Sequence, residues 1–253
     1  MVPPFACILL FRGNCMLTNQ KVLVVGASSG IGRAVAVSFA REGARVMVSA
    51  RREKRLRELQ EELAKEGHSI GVHAADAGSR KQLEELHQAT IAAIGDPEIV
   101  VYATGTNTPH RSMKGLAPEI WDEMLAVNLS GAYHVSRLVL PAMRQAGAGH
   151  LIYISSISGV YPDVSGPAYQ ASKRGMLGIA AAIRVEEKET GIRTCVVCPG
   201  LVDTEILDKR LVKPGPEVLA KALQPEDVAA TVLFVAKLPP RASIPELLIM
   251  PAV

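Results

Sequence analysis

A tyrosine and a lysine stand four residues apart in PAYQASK, as Tyr169 and Lys173 of a predicted helix. Residues at i and i+4 lie on the same helix face, one turn apart. An ammonium group at that distance favours the phenolate, which lowers the pKa of a phenol from about 10 toward the neutral range. Such a tyrosine can donate a proton to a carbonyl oxygen, and Ser156, after the preceding strand, could hold the same oxygen. The spacing also arises by chance on amphipathic helices, so the surrounding elements decide the interpretation.

Strand and helix patterns alternate along the whole chain around these three residues. Short runs rich in valine and isoleucine are followed by amphipathic segments with a period of about 3.6 residues. Because parallel strands need crossover connections, the alternation predicts a doubly wound α/β fold with helices on both faces of a parallel sheet. The predicted strands lie at 21–25, 45–49, 69–74, 99–102, 150–154, 193–197 and 244–250. The predicted helices run from a glycine turn to about 42, and over 52–66, 80–94, 118–145, 167–190 and 224–237.

The domain organisation follows from the absence of linkers, repeats and low-complexity segments between the first and last predicted strands. Residues 16–253 are predicted to form a single Rossmann-like domain. Residues 1–15 do not fit the pattern, whereas Met16 begins a natural lead-in to the first strand. We expect either a true start at Met16 or a poorly ordered extension over 1–15. The polar segment at about 200–216 interrupts the alternation and is expected to form a substrate-binding loop.

The composition favours a soluble protein without nucleic-acid or membrane partners. Apolar residues make up 48% of the chain, and the net charge of +3 comes from interspersed charges of both signs. The early apolar run over 5–11 is too short to span a bilayer. Four cysteines are too few for a disulfide framework and favour a reducing compartment, which predicts a cytoplasmic location. The six histidines lack ligand spacing, so no metal site is predicted.

A glycine turn, G-x-x-x-G-x-G, joins the first predicted strand to the first helix through Gly26, Gly30 and Gly32. In this position the turn lets a pyrophosphate approach the backbone at a helix N-terminus, where free N–H groups and the helix dipole favour an anion. Glycine patterns also occur in ordinary tight turns. Its place in a strand–turn–helix unit favours a dinucleotide site.

The end of the second strand distinguishes the two common dinucleotides. An acidic residue there would bind the ribose hydroxyls of NAD, whereas a basic one accommodates the 2′-phosphate of NADP. The strand is followed by Arg51 and Arg52, and Ser28 of the glycine turn could add a hydroxyl. Glu53 opposes this reading, but an acid in the first turn of a helix is also explained by the helix dipole. The residues therefore favour NADP (NADPH) over NAD.

Taken together, the glycine turn, Asn128, Ser156, the Tyr169/Lys173 pair and Pro199-Gly200 occur in one order on one doubly wound pattern. In this the chain resembles the short-chain dehydrogenase/reductase family, from about residue 21 to its C-terminus. The resemblance implies a parallel seven-stranded sheet of order 3-2-1-4-5-6-7. It also implies an NADP-dependent oxidoreductase acting on CH–OH and C=O groups.

The resemblance implies a role for each matched residue. Tyr169 would be the general acid/base, and Lys173 would bind the nicotinamide ribose and lower the tyrosine pKa. Ser156 would steady the substrate oxygen, and Asn128 would hold a water that links Lys173 to solvent. Residues 157–161 and 201–211 would line the substrate pocket. The implied cofactor-binding residues are Gly26, Ser28, Gly30, Ile31, Gly32, Arg51, Asp76, Ala103, Gly105, Tyr169, Lys173, Pro199, Gly200, Val202 and Thr204.

Two positions depart from the family pattern. Val25 stands where threonine often precedes the first glycine, and Tyr102-Ala103-Thr104-Gly105 replaces Asn-Asn-Ala-Gly after the fourth strand. The family residues at these positions support the central strand and contact the cofactor, so the sequence does not indicate which residues make those contacts in this chain.

The substrate and the assembly are less sharply indicated. The C-terminal segment is similar to that of NADP-dependent members that act on small 3-hydroxy acids and related alcohols. A 3-oxoacyl thioester reductase is the alternative within the class, and a non-catalytic NADP-binding regulator is the alternative outside it. The two long helices would, in this family, pack against their copies in a homotetramer or homodimer.

Overall fold

A computed structural model describes residues 17–252 of the chain. The proposed start at Met16 and the extension over 1–15 lie outside the described residues. Seven parallel strands form one sheet in the order β3-β2-β1-β4-β5-β6-β7, which confirms the predicted fold class and strand order. The strands are β1 Lys21–Val25, β2 Arg45–Ala50, β3 Ile70–Ala74, β4 Ile99–Tyr102, β5 Gly149–Ile154, β6 Ile192–Pro199 and β7 Glu246–Ile249.

Within residues 17–252, eight α-helices connect and cover the strands. Several begin with proline at the first helical position, where the missing N–H costs no hydrogen bond. They are α1 Gly30–Arg41, α2 Glu53–Lys65, α3 Arg80–Ile94, α4 Pro118–Leu125, α5 Gly131–Ala146, α6 Pro167–Glu186, α7 Pro216–Leu219 and α8 Pro225–Ala236. Across residues 17–252, no helix combines the length and the apolar character needed to cross a bilayer.

The hydrophobic core has two layers, one on each face of the sheet, because the central strands are buried on both sides. One layer contains Phe39 of α1 and the other contains Met176 of α6, both fully buried. Cys195 and Cys198 belong to opposite layers and are free thiols. Since side chains three positions apart on a strand point to opposite faces, these two cysteines cannot reach each other.

Three predicted elements differ from the structure. The helix expected over 118–145 is interrupted by a π-helical segment, Ala126–Ser130, between α4 and α5. Helix α6 ends at Glu186 instead of residue 190, because the chain turns through Gly191, at φ 75°, into β6. The substrate loop contains a short 3-10 helix, Glu205–Lys209, and α7 begins at its end.

Candidate active site

A cavity of about 610 Å³ opens at the carboxyl ends of the strands. Ligands of doubly wound sheets bind at this edge, where the connections diverge to the two faces. The cavity is lined by Ser156 and by every residue predicted to bind the cofactor: Gly26, Ser28, Gly30, Ile31, Gly32, Arg51, Asp76, Ala103, Gly105, Tyr169, Lys173, Pro199, Gly200, Val202 and Thr204. The structure thus brings together residues that span almost the whole described chain.

The glycine turn is compact because the backbone folds back on itself. Gly26 has φ 99°, and a Cβ atom on Gly32 would lie 2.2 Å from the Gly26 carbonyl oxygen. Only glycine at position 32 allows helix α1 to begin this close to the end of β1. The first turn of α1 therefore lines the cavity, and its free N–H groups favour an anion such as a pyrophosphate there.

A cluster of hydroxyl and guanidinium groups lies where β2 ends. Arg52 donates from Nη2 to Ser28 Oγ at 2.9 Å and to Ser29 Oγ at 2.6 Å. Its Nη1 also donates to Glu205 Oε2 at 2.7 Å, and Arg55 binds the other oxygen of the same carboxylate. The cluster already holds one anionic group, so its donors fit the 2′-phosphate of NADP.

Two members of this cluster, Arg55 and Glu205, were not predicted from the sequence as cofactor-binding residues. Arg55 lies in α2, three positions after Arg52, the residue that precedes the helix. Because this spacing puts both side chains on one helix face, it could have indicated the role of Arg55. Glu205 is 153 positions from Arg52, and no local pattern connects them. The two guanidinium groups lower the pKa of Glu205 to about 2, chiefly by hydrogen bonding.

The tyrosine, serine and lysine approach one another at the middle of the cavity. Strand β5 ends just before Ser156, and the first turns of α6 present Tyr169 and Lys173 to the same space. The Lys173 ammonium lies 5.7 Å from the centre of the Tyr169 ring and donates to the Ile154 carbonyl oxygen at 2.9 Å. Ser156 Oγ accepts from the Ser158 amide and donates to Ser158 Oγ, each at 3.2 Å.

Burial sets the protonation of this group. It raises the pKa of Tyr169, and hydrogen bonding by Ser156 opposes the rise. Asp163 adds to the rise, whereas the guanidinium groups of Arg210 and Arg111 counter it. Burial also lowers the pKa of Lys173 to about 8, since its ammonium is only 3% exposed. The protein without ligand therefore keeps the phenol protonated, ready to act as a proton donor.

Asn128 sits behind the cavity wall, not on it. It occupies the middle of the π-helical segment and is completely buried. Its Oδ1 accepts from the Thr106 amide at 2.8 Å, and its Nδ2 donates to the Thr106 carbonyl and to Ser172 Oγ. A π turn of this kind is rare and commonly marks a functional position. Here it orients the Asn128 amide toward the loop after β4.

The structure shows the contacts of the residues at the two positions that depart from the family pattern. Tyr102 is buried in the core, and its hydroxyl donates to the Val127 carbonyl oxygen at 2.5 Å. Val25 is also buried, in the same core layer. Ala103 and Gly105 still line the cavity in the altered loop. Tyr102 therefore joins β4 to the segment that contains Asn128.

The predicted substrate-pocket segments line the cavity only in part. From 157–161, Ile157 and Ser158 contribute, whereas Tyr161 is 57% exposed and lies outside. From 201–211, most residues contribute, but Leu211 is 71% exposed and does not.

Comparison with known proteins agrees with this geometry. The model of the short chain dehydrogenase family matches residues 20–215. The chain belongs to the short-chain dehydrogenase family. An uncharacterised oxidoreductase of Staphylococcus aureus (strain N315) is 30% identical to this short-chain dehydrogenase over 236 residues, covering 93% of this chain and 99% of the relative.

Two further proteins with described activities are similar to this short-chain dehydrogenase. A D-beta-hydroxybutyrate dehydrogenase of Cupriavidus necator is 30% identical over 196 residues, which cover 78% of this chain and 76% of the relative. The solved closed form of a serine dehydrogenase complexed with NADP+ superposes with a TM-score of 0.82 at 31% identity, over 90% of this chain and 93% of that one.

Proposed function

We propose that this short-chain dehydrogenase interconverts a carbonyl compound and its alcohol with NADP(H) as the cofactor. The observation that carries the proposal is the shared cavity: Ser156, Tyr169 and Lys173 line the same space as the glycine turn and Arg52. Hydride reduction of a carbonyl requires a proton donor and a bound hydride carrier. Tyr169 can supply the proton, and the anion-binding glycine turn can hold the pyrophosphate of the carrier. The serine dehydrogenase that superposes on this chain holds NADP+, which supports the choice of cofactor.

The residues that would hold the cofactor are spread along the cavity. The first turn of α1 would bind the pyrophosphate, and Arg52 with Ser28 and Ser29 would bind the 2′-phosphate. Asp76 would contact the adenine, and Thr204 would meet the carboxamide or the phosphates, as the family resemblance implies. NADPH supplies the hydride, and the protein supplies orientation and the proton.

The proton for the nascent alkoxide would come from Tyr169. Its hydroxyl and that of Ser156 would both hydrogen-bond the carbonyl oxygen, which fixes the carbonyl and stabilises the charge that develops there. Lys173 would hold the nicotinamide ribose and, as a cation, stabilise the phenolate left behind. Asn128 would hold a water that returns a proton through Lys173. Overall, one carbonyl, one hydride and one proton become one alcohol.

The substitution Tyr169→Phe tests the proposal because it removes the acid and keeps the ring. We expect kcat to fall by at least about 10³-fold while the Kd for NADPH changes by less than about threefold. Tyr133→Phe is the matched control, because Tyr133 is 46% exposed on α5 and does not line the cavity. Activity can be followed through NADPH absorbance over a panel of ketones, hydroxy acids and acyl thioesters.

Two results would contradict the proposal. If Tyr169→Phe kept full activity, the assigned acid would be wrong. If no carbonyl or alcohol were converted although NADPH bound tightly, the chain would be a regulator that senses the nucleotide. A lower KM for NADH than for NADPH would overturn the cofactor choice alone.

Within this reaction class, we propose a small 3-hydroxy acid or related alcohol as the substrate. The similarity to a D-beta-hydroxybutyrate dehydrogenase supports this choice.

We also propose a cytoplasmic homotetramer or homodimer that packs through the long helices α5 and α6, where Tyr133 and Val185 are exposed. Light scattering of the purified protein measures its mass, and a monomer would contradict the assembly.

A further inference from the structure

Three cationic side chains line the cavity close to the proposed acid: Arg111, Lys209 and Arg210. Arg111 comes from the long connection between β4 and α4, and the other two come from the end of the 3-10 helix in the substrate loop. Within residues 17–252, no carboxylate forms an ion pair with any of them. These three side chains therefore bring positive charge to the cavity without an ion-pair partner in the described chain.

Arg111 is held in place by the helix that carries Tyr169. Gly166, the residue before α6, has φ 90°, and a Cβ atom there would lie 2.1 Å from the Arg111 carbonyl oxygen. The connection after β4 can therefore lie directly against the start of α6 only because this position is glycine. Arg111 Nη2 in turn donates to the Lys209 carbonyl oxygen at 3.1 Å, which joins the two cationic segments.

Lys209 and Arg210 are oriented differently. Lys209 Nζ donates to Thr106 Oγ1 at 2.6 Å, so its side chain extends to the loop after β4. The Arg210 side chain has no hydrogen-bond or ion-pair partner in the described part of the chain, yet it is partly buried. Burial lowers the pKa of Arg111, and the charge of Arg210 lowers it further. The two guanidinium groups thus lie close enough to repel each other.

The acidic groups of the cavity relieve this repulsion only in part, since the charge of Asp163 raises the pKa of Arg111 but does not offset the lowering. Asp163 is the carboxylate that faces Arg111 and Tyr169, but its oxygens accept from the Ser165 amide and from the hydroxyls of Ser158 and Ser165. Glu205 is bound to Arg52 and Arg55. Two guanidinium groups that line one cavity without an ion-paired carboxylate supply the donors that a bound carboxylate accepts.

We propose that the substrate of this enzyme carries a carboxylate, which Arg111 and Arg210 bind beside Tyr169 while Lys209 closes the cavity. The proposal rests on the proposed function and narrows it to oxo acids and hydroxy acids. The two arginines determine specificity and take no part in proton transfer.

Matched pairs of an acid and its methyl ester test the proposal, because the ester keeps the ketone and loses the charge. The probes are 3-oxobutanoate, 3-oxohexanoate and their methyl esters, with NADPH and the full-length enzyme. We expect wild-type kcat/KM to favour the acid by at least about tenfold. Arg210→Gln and Arg111→Gln should raise KM for the acid about 10- to 100-fold, with the ester and the Kd for NADPH changed less than about threefold.

Lys213→Gln is the matched control. Lys213 lies in the same loop and pairs with Asp208, but it does not line the cavity, so removal of its charge should leave the acid-to-ester ratio unchanged. A similar loss in this variant and in Arg210→Gln would mean that general surface charge attracts the acid, and the proposal would be wrong.

The remaining outcomes separate this proposal from the proposed function. If the esters are reduced as well as the acids and Tyr169→Phe abolishes both reactions, the carboxylate site is wrong and the function stands. A preference for 3-oxobutanoyl-coenzyme A that Arg210→Gln removes would assign the arginines to a phosphate instead. If the wild type reduces none of these probes, binding is tested instead. 3-Oxobutanoate is titrated into the NADPH complex, and the fluorescence of the nucleotide reports whether it binds. Binding weakened by Arg210→Gln supports the site, and binding that is absent or insensitive overturns it.

Discussion

At the scale of single residues, hydrogen bonds behind the cavity wall position the groups that line it. Tyr102 illustrates this because it replaces an asparagine of the family pattern and yet reaches the segment of Asn128 through the Val127 carbonyl. The hydroxyl is fully buried, so burial keeps the pKa of Tyr102 far above its usual range and its hydrogen always available for donation. We regard Tyr102 as a positioning residue.

The substitution Tyr102→Phe is expected to reduce kcat about three- to tenfold and to lower the free energy of unfolding by about 1–2 kcal/mol, since a buried carbonyl loses its donor. Tyr153→Phe is a matched control, because Tyr153 is equally buried in the same layer but bonds Ser136 Oγ at 2.6 Å, away from Asn128. Chemical denaturation should show similar losses for both variants. Only Tyr102→Phe should shift the pH profile of kcat, and an equal shift in both variants would reduce Tyr102 to a structural role.

At the scale of elements, the 3-10 helix Glu205–Lys209 connects the two ends of the cavity. Its first residue binds Arg52 and Arg55 at the proposed phosphate site, and its last residue binds Thr106 near the proposed substrate site. The carboxylate of Glu205 thus occupies donors that the 2′-phosphate of NADP would need. The pKa of Glu205 is lowered to about 2, so its carboxylate stays ionised and the competition persists at neutral pH.

Glu205→Gln should strengthen NADPH binding about three- to tenfold, because the amide leaves the guanidinium groups without an anionic partner. Binding of NADH should change by less than about twofold, since NADH lacks the 2′-phosphate. Fluorescence titration measures both constants. Asp208→Asn removes a charge that pairs with Lys213 in the same 3-10 helix region, and it should leave both constants unchanged. Weaker NADPH binding in Glu205→Gln would show instead that Glu205 holds Arg52 in a productive position.

At the scale of the whole molecule, stability depends on burial at the edge of the sheet opposite the cavity. His150, near the start of β5, is 3% exposed, and within residues 17–252 neither of its nitrogens has a hydrogen-bond partner. Burial, with a smaller contribution from the nearby charge of Arg193, lowers the pKa of His150 to about 3. The folded state therefore requires the neutral imidazole, whereas the unfolded chain is protonated below its ordinary pKa of about 6.5.

The folded-state pKa is depressed, so the stability linked to His150 is present above pH 6.5 and is lost as the pH falls toward 3. The loss should be about 1.4 kcal/mol per pH unit in that interval. His150→Leu should remove this part of the pH dependence, as urea denaturation at pH 7, 6 and 5 would measure. His110→Leu, at an exposed position, is the control. Parallel stability curves for the wild type and His150→Leu between pH 7 and 5 would contradict the assignment.

The sequence by itself determined the fold class and the family resemblance, and the resemblance in turn implied the strand order. The pattern of apolar residues along the chain follows burial directly, so the strands around Val24 and Val101 could be predicted from the sequence alone. The glycine turn and the Tyr169/Lys173 pair were also visible, because each is a local pattern within one turn or one helix. Their roles in catalysis stay predictions that Tyr169→Phe tests.

Only the tertiary structure decided which distant side chains meet. Glu205 reaches Arg52 and Arg55, and Arg111 reaches the substrate loop, through contacts between segments about 100 or more positions apart. The interruption of the long helix at Asn128 also had no sequence signal, because it depends on the contacts with Thr106 and Tyr102. Hydrophobic periodicity specifies a layer but not which loop ends converge above it. That convergence sets the charge of the cavity, and with it the proposed substrate.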